Sequence, residues 1–402
     1  MPTTNLITRD RIGDDESERL RRRYPTERET EALLTRRTAR RGLPAYVRPT
    51  LGEFETYLRN FLDAHVDPSY ELSDLRWFTG GVSKIQMGFT LDWTEDGRRR
   101  RERMVARMEP AESLNATSRV REYQLLRAFV GTLPVPETFW VDGDAEWFPE
   151  PSLIYAYADG VTKPSGSTTG QVTGLGTSFG PRYRELLAPQ FMSALAAIHT
   201  FDISSADLSS MDVPAVGSSD AAIWQLNRAR RVWEEDRGED FPLMELAASW
   251  LERNAPPLDR ISVVHGDYRS GNFLFDETSG QVTAWLDWER GHLGDRHRDL
   301  AWTTQSTFGH WDESRKHYLV CGLVESNEFY ALYEQVSGLT VDLDRLRYYR
   351  ILNSYQIIVA LLGTAFRVVR LNKSHQGLLL ARLRGQVAAV TDDLAVLLDE
   401  VL

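Results

Sequence analysis

Between Val263 and Asp276 the chain reads VVHGDYRSGNFLFD, which puts His265, Asp267, Arg269 and Asn272 within eight residues. Asp287 follows, at the end of the apolar run QVTAWLDW. Three side-chain oxygens on loops and strand ends suit a hard divalent ion, which takes one or two protein oxygens and completes its shell with water and phosphate. A carboxylate able to accept a proton, an Asn and an Asp able to share the metal, and Arg269 as a cation facing phosphate together make a phosphoryl-transfer set. Glu289, two residues past Asp287, is placed to reach the same ion directly or through water.

The spacing can be compared with the protein-kinase catalytic loop. In H-R-D-L-x-x-x-N the Asn falls five residues after the Asp. His265-Gly266-Asp267 and Asn272 repeat that interval, with Gly in the middle position. Asp287-Trp288-Glu289 stands where the kinase Asp-Phe-Gly would be. Upstream, TGGVSK carries Gly80, Gly81, Ser83 and Lys84 in a turn between strands, able to cover phosphates. Arg107 in MVARM takes the place of the strand lysine, and Glu122 in REYQLL sits on the next helix, where it could pair with that cation. Lys84 is one of four lysines in the chain. It either contacts an ATP phosphate or is a solvated turn residue.

The combination HGDYRSGNFLFD…VTAWLDWERGHLGDRHRDLAW resembles the aminoglycoside phosphotransferase-like (choline kinase-like) family. Within it, the chain looks most like the kinase domain at the front of some acyl-CoA dehydrogenases. The likeness runs from about Leu72 to the C-terminus and includes VREYQLL, PVPETFW and ALAAIHTFD. It implies an α+β, bilobal kinase-like fold, with ATP and Mg2+. It also implies Asp267 as base, with Asn272 and Asp287 on the metal. Arg in place of the strand lysine departs from the kinase pattern, and a guanidinium fork meets phosphate differently from an ammonium.

Around these residues, 1–70 read as a helical extension, 71–160 as a small β-rich nucleotide-binding lobe, and 161–402 as a mainly helical lobe with the catalytic loop and acceptor site. TLGEFETYLRNFLDAHV has helical apolar spacing, and Ile85, Met87, Phe89 and Leu91 alternate as in a strand. The Gly/Ser/Thr-rich stretch 162–180 reads as a surface loop or a flap near substrate. Within the supports, His265 is either catalytic or a prop for its loop. Asp299 in RDLAW is expected to anchor the loop backbone. Asp295 is either structural or part of the acceptor site.

Net charge is −11, although residues 1–60 carry 13 Arg against 10 Asp and Glu. A body this acidic lacks the basic face of a nucleic-acid binder. The longest apolar run, Ile357–Phe366, falls short of a membrane span. A single cysteine, Cys321, and an N-terminus without an apolar core point to a cytoplasmic setting. The expected partner is a small-molecule hydroxyl: a hydroxylated metabolite, an acyl-CoA-type compound or an aminoglycoside. Two other readings compete, a nucleotide-binding scaffold without turnover and a metal-dependent phosphohydrolase. The second needs more histidine ligands than the C-terminal half offers.

Overall fold

The computed structural model describes residues 12–78, 84–167 and 175–402. Gly80, Gly81 and Ser83, and the middle of the 162–180 stretch, lie outside the described residues.

The chain opens with helices α1 (Asp14–Arg23), α2 (Arg28–Arg40) and α3 (Leu51–His65). Thr50 and Glu53 close a reciprocal capping box at the start of α3, satisfying two of the N–H groups that a helix start leaves unpaired. Strands β1 (Glu71–Trp77), β2 (Ile85–Glu95), β3 (Arg98–Met108), β4 (Thr138–Asp142) and β5 (Ser152–Ala156) form one antiparallel sheet in the order β1-β2-β3-β5-β4. Helix α4 (Arg119–Phe129) crosses between β3 and β4.

Strand alternation decides what this sheet offers the rest of the molecule. Ile85, Met87, Phe89 and Leu91 of β2 and Met104, Ala106 and Met108 of β3 pack with Phe54, Leu58, Phe61 and Leu62 of α3. Successive side chains of a strand point to opposite faces. Val105 and Arg107 therefore face away from α3, and Val105 joins the larger core of the second lobe. In this way the apolar period of β3 aims Arg107 at the cleft between the lobes.

The second lobe is built on α5 (Gly180–Thr200), α6 (Asp220–Asp236) and α7 (Pro242–Arg253). Four short strands follow: β6 (Ser262–Val264), β7 (Phe273–Phe275), β8 (Val282–Trp285) and β9 (His292–Gly294). They pair as β6 with β9 and β7 with β8. Helix α8 (His297–Thr303) comes next; after a small three-stranded sheet come α9 (Phe329–Ser337) and α10 (Leu343–Ile358). The fold is thus α+β and two-lobed, as the family resemblance implies.

Residues 14–65 divide between the lobes. Helix α3 belongs to the small-lobe core, whereas α2 docks on the large lobe. Arg37 and Arg41 reach Glu235 and Asp236 at the end of α6, and Arg367 joins them with its Nε 2.9 Å from Asp236. Glu27 pairs with Arg121 of α4 at 2.6 Å. Several arginines of the basic N-terminal stretch are therefore spent on docking.

A continuous helical stretch, Leu343–Arg370, is long and apolar enough to cross a bilayer, which the run of adjacent apolar residues did not reveal. Its most apolar window is 67% buried within the protein. Tyr348, Ile351, Leu352 and Tyr355 all join the large-lobe core. Midway the stretch widens into a π-helical segment, Val359–Ala365.

Candidate active site

The loop between β6 and β7 carries Asp267 and is held from below by one short helix. Asp299 of α8 accepts hydrogen bonds from the backbone N–H of His265 (2.7 Å) and Gly266 (2.8 Å). Trp302 donates its indole N–H to Asp267 Oδ1 at 2.7 Å, and the Thr303 hydroxyl donates to the Tyr268 carbonyl at 2.7 Å. Positions i, i+3 and i+4 share a helix face, so seven residues of helix supply three separate anchors. Asp299 is buried. Burial raises its pKa, but the hydrogen bonds from His199 and the Gly266 N–H outweigh it, so the carboxyl stays below its ordinary value.

His265 is also a prop. Its Nε2 donates to the Leu286 carbonyl at 3.0 Å, and its Nδ1 accepts from the Asp267 N–H at 3.3 Å. Burial lowers its pKa, so the ring is neutral and fits these two roles. Gly266 has φ of +80°, and a Cβ there would lie 2.7 Å from the Arg290 carbonyl oxygen. Backbone geometry and space together demand glycine at this point. That accounts for Gly where the kinase pattern has Arg.

Asp267 is the focus of the loop. Arg269 Nε donates to its Oδ1 at 3.0 Å, and Asn272 Nδ2 donates to its Oδ2 at 2.8 Å. The Asn272 amide also donates to the Asp267 carbonyl at 2.7 Å. That orientation turns Asn272 Oδ1 away from the loop, and no described donor reaches it. Asp287 sits just past β8 in the left-handed conformation, φ 61°, a costly backbone for a non-glycine residue and one that clusters at working sites. Its side chain is 36% exposed, against 17% for Asp267. An accessible carboxylate and a free amide oxygen are the donor set Mg2+ accepts when phosphates complete the shell. Among the described residues no three His, Cys, Asp or Glu side chains converge as a ready-made metal cage.

Behind this row lies a buried ionic network. Arg107 contacts Glu122 (3.3 Å), Asp287 (2.6 Å) and Glu289 (2.6 Å). Arg119 contacts Glu122, Glu109 (3.1 Å) and Glu289 (3.5 Å). Lys84 is neither solvated nor in a turn facing outward: its ammonium is fully buried, 2.7 Å from Glu109, 2.8 Å from the Thr117 hydroxyl and 3.6 Å from Glu289. Burial works against charge on Arg107, but Glu122, Asp287 and Glu289 outweigh it and hold its pKa well above the ordinary value. Burial likewise raises Glu289, yet Lys84, Arg107 and Arg119 pull it down to about 2. Unpaired, any of these charges would be costly to bury.

The structure therefore brings together Asp267, Arg269, Asn272, Asp287, Glu289, Arg107, Glu122 and Lys84. Asp295 lies apart from them. It accepts from the His297 backbone N–H (3.0 Å) and ring Nδ1 (2.6 Å), and pairs with Arg345 at 2.8 Å, all in the interior. Its position fits the structural alternative. Sequence reasoning missed Trp302, Thr303, Arg119, Glu109 and Thr117. The first two were legible as the i+3 and i+4 neighbours of Asp299. Arg119 was legible only in its i,i+3 pairing with Glu122; Glu109 and Thr117 gave little local signal, because they close on Lys84 and Arg119 from separate segments.

Known proteins share this chain's family pattern and its fold. The model of the phosphotransferase enzyme family, APH, matches residues 91–347. Acyl-CoA dehydrogenase family member 10 of Mus musculus is 26% identical over 203 residues, which are 50% of this chain and 18% of that protein. Acyl-CoA dehydrogenase family member 11 of Gallus gallus is 29% identical over 197 residues, 48% of this chain and 24% of that protein. The chain thus aligns with less than a quarter of the length of either relative. Among solved structures, one from Ralstonia eutropha described as an aminoglycoside phosphotransferase superposes with a TM-score of 0.60 at 22% identity, covering 84% of this chain and 95% of that one. Ethanolamine kinase of Plasmodium vivax superposes with a TM-score of 0.52 at 14% identity, covering 95% and 97%. These two likenesses are of fold, and the family match supplies the reaction class. With the kinase-like lobes, the anchored Asp267 loop and a family match over most of the chain in agreement, this chain belongs to the APH phosphotransferase enzyme family.

Proposed function

We propose that the protein transfers the γ-phosphate of ATP to the hydroxyl of a small molecule, with Asp267 as base. The observation that carries this reading is the posture of Asp267. Trp302, Arg269 and Asn272 fix both carboxylate oxygens from the protein side, while the side chain keeps 17% exposure toward the cleft. A base held this way is oriented before the acceptor arrives, and positioning supplies much of the rate in phosphoryl transfer.

In the proposed step the acceptor O–H bond breaks and its proton passes to Asp267. The acceptor oxygen bonds to the γ-phosphorus as the bond from that phosphorus to the bridging oxygen breaks, and ADP leaves with the electron pair. Asn272 and Asp287 are the residues that would hold Mg2+, which when bound neutralises charge on the phosphates. Arg269 adds positive charge beside the transferred group. Arg107, oriented by Glu122 and Glu289, faces the α- and β-phosphates. Glu289 is already engaged by three cations, so its proposed work is to hold Arg107 and the end of Lys84. Lys84 then acts on the nucleotide through this network. Gly80, Gly81 and Ser83 complete the proposed phosphate cover.

The acceptor is a hydroxylated metabolite or acyl-CoA-type compound, with an aminoglycoside as the second class. The test is ADP release from MgATP across a panel of hydroxyl compounds by the native protein and Asp267→Asn. Acceptor-dependent ADP from the native protein alone supports the reading. Equal rates from both proteins would remove Asp267 from the chemistry, and tight ATP binding without product over the panel would favour a scaffold.

A further inference from the structure

A cavity shares Trp302 with the Asp267 loop: Trp302 lines it and donates its indole N–H to Asp267. Its volume is about 150 Å3, and Arg228 of α6, Arg290 after β8 and Arg298 of α8 line it. None of these three has a carboxylate partner at ion-pair distance among the described residues. Arg228 donates only to the Ala116 carbonyl, at 2.5 Å. Arg298 reaches His292 at 3.2 Å and the Gln356 side-chain oxygen at 3.0 Å, both neutral, and its Nε has no partner. The Arg290 guanidinium lies over the Trp302 ring, 4.5 Å from its centroid.

The electrostatics follow this geometry. Burial, and then the neighbouring charge of Arg290, lower the pKa of Arg228 to about 10 and that of Arg298 to about 9. Arg290 is itself lowered by burial, only partly offset by Asp267, Glu289 and Asp299. All three remain protonated near neutral pH, so the cavity concentrates positive charge that the protein does not neutralise. Arg298 is buried, and Arg228 and Arg290 are half-buried; a charge drawn out of water without a counter-charge is costly and uncommon. Elsewhere in this fold buried arginines are matched: Arg37, a fourth arginine on the cavity wall, already has Glu235 and Asp236.

Most of the remaining wall is apolar, from Leu34 of the docked N-terminal helix, Leu114, Val232 and Leu361, with Asn115 and Gln356 as its polar members. Leu361 lies in the π-helical segment 359–365, a distortion often found at working sites.

We propose that this cavity binds the acceptor through an anionic group, so that the substrate is a hydroxyl compound bearing a carboxylate or phosphate joined to an apolar portion. This rests on the phosphotransferase reading and deepens it: the oxyanion sits among Arg228, Arg290 and Arg298, and the hydroxyl extends past Trp302 to Asp267. Trp302 connects the two sites, since one residue carries Arg290 on its ring and Asp267 on its N–H. A polycationic aminoglycoside is repelled from such a cavity. The N-terminal helix α2 becomes part of the acceptor site, because Leu34 closes one wall.

The test pairs binding with turnover. The probes are 6-hydroxyhexanoate, 6-hydroxyhexyl phosphate, the neutral 1,6-hexanediol and an aminoglycoside. Calorimetry reads binding, and ADP release with MgATP reads transfer, for the native protein, Arg228→Gln and Arg298→Met. The expected result is binding of one or both anions over the diol, weakened roughly 10- to 100-fold in each arginine variant, as loss of a hydrogen bond to a charged group requires. Preference for carboxylate or phosphate identifies the source of the anion. Native-like thermal unfolding of Arg228→Gln, which is only half-buried, separates lost binding from lost folding. Anion binding equal to that of the diol, or unchanged in both variants, would overturn the inference, as would preferred phosphorylation of the diol or aminoglycoside. Arginine-dependent anion binding with no Asp267-dependent turnover of ATP would instead overturn the phosphotransferase reading and leave the anion site standing.

Discussion

Two groups of basic side chains are drawn partly or wholly out of water in this protein, and their surroundings are opposite. Lys84, Arg107 and Arg119 stand among Glu109, Glu122, Asp287 and Glu289, with a carboxylate against every cation. Arg228, Arg290 and Arg298 stand among carbonyls, imidazole, amide and indole. The first group is complete without a ligand and can hold a shape. The second has charge left over, and leftover buried charge marks where a ligand's charge belongs. Between them lies Asp267, fastened to Trp302.

The largest expected effect concerns the residue between the groups. Asp267→Asn should lower kcat by about 10²- to 10⁴-fold, the usual contribution of a general base, with unfolding temperature within a few degrees of native. Next comes the balanced group. Arg119→Met leaves Glu109, Glu122 and Glu289 short of a buried partner and should cost about 3–5 kcal/mol in stability, read by denaturant unfolding.

Acid should weaken both regions, through histidines rather than carboxylates. Burial lowers the pKa of His199 and His265, which flank Asp299, and of His292, where Arg298 lowers it further. Each is neutral in the folded protein and titrates near 6.5 when unfolded, so stability is full above that value and falls as pH drops below it. The expected loss is at most about 1 kcal/mol per histidine per pH unit, largest for His292, whose pKa is lowered well below the ordinary value, and is measured by unfolding between pH 6.5 and 5.5. His292→Gln should flatten that slope. The smallest effect is the sharpest contrast: Arg298→Met should change stability by no more than about 1 kcal/mol, because removing an unmatched buried cation relieves as much as it forfeits. A loss as large as that of Arg119→Met would erase the distinction between the two groups.

Local pattern made much of this legible. The five-residue interval from Asp267 to Asn272 located the loop, and alternation along Ile85–Leu91 located the sheet face that turns Arg107 toward the cleft. Asp299 was readable as an anchor because it follows the loop on a short helix. The reading of Lys84 as a solvated turn residue failed, since its burial depends on Glu109 and Thr117, 25 and 33 residues away. Arg228, Arg290 and Arg298 were invisible for a related reason. Nothing in a sequence of 43 arginines and 4 lysines tells which few will lack a carboxylate, because that depends on which helices meet. The Arg-rich N-terminal stretch reads as a helical extension, but the partners that dock it, Asp236 and Glu235, are long-range as well.

The most direct test of the account is phosphorus NMR on MgATP incubated with the native protein and the hydroxyl-compound panel, repeated with Asp267→Asn. The account predicts that the γ-phosphate signal disappears as ADP and a new phosphomonoester on the acceptor appear in equal amounts, and that neither forms at a comparable rate with Asp267→Asn. A phosphomonoester formed equally well by Asp267→Asn, or cleavage of added phosphomonoesters without ATP, would contradict it.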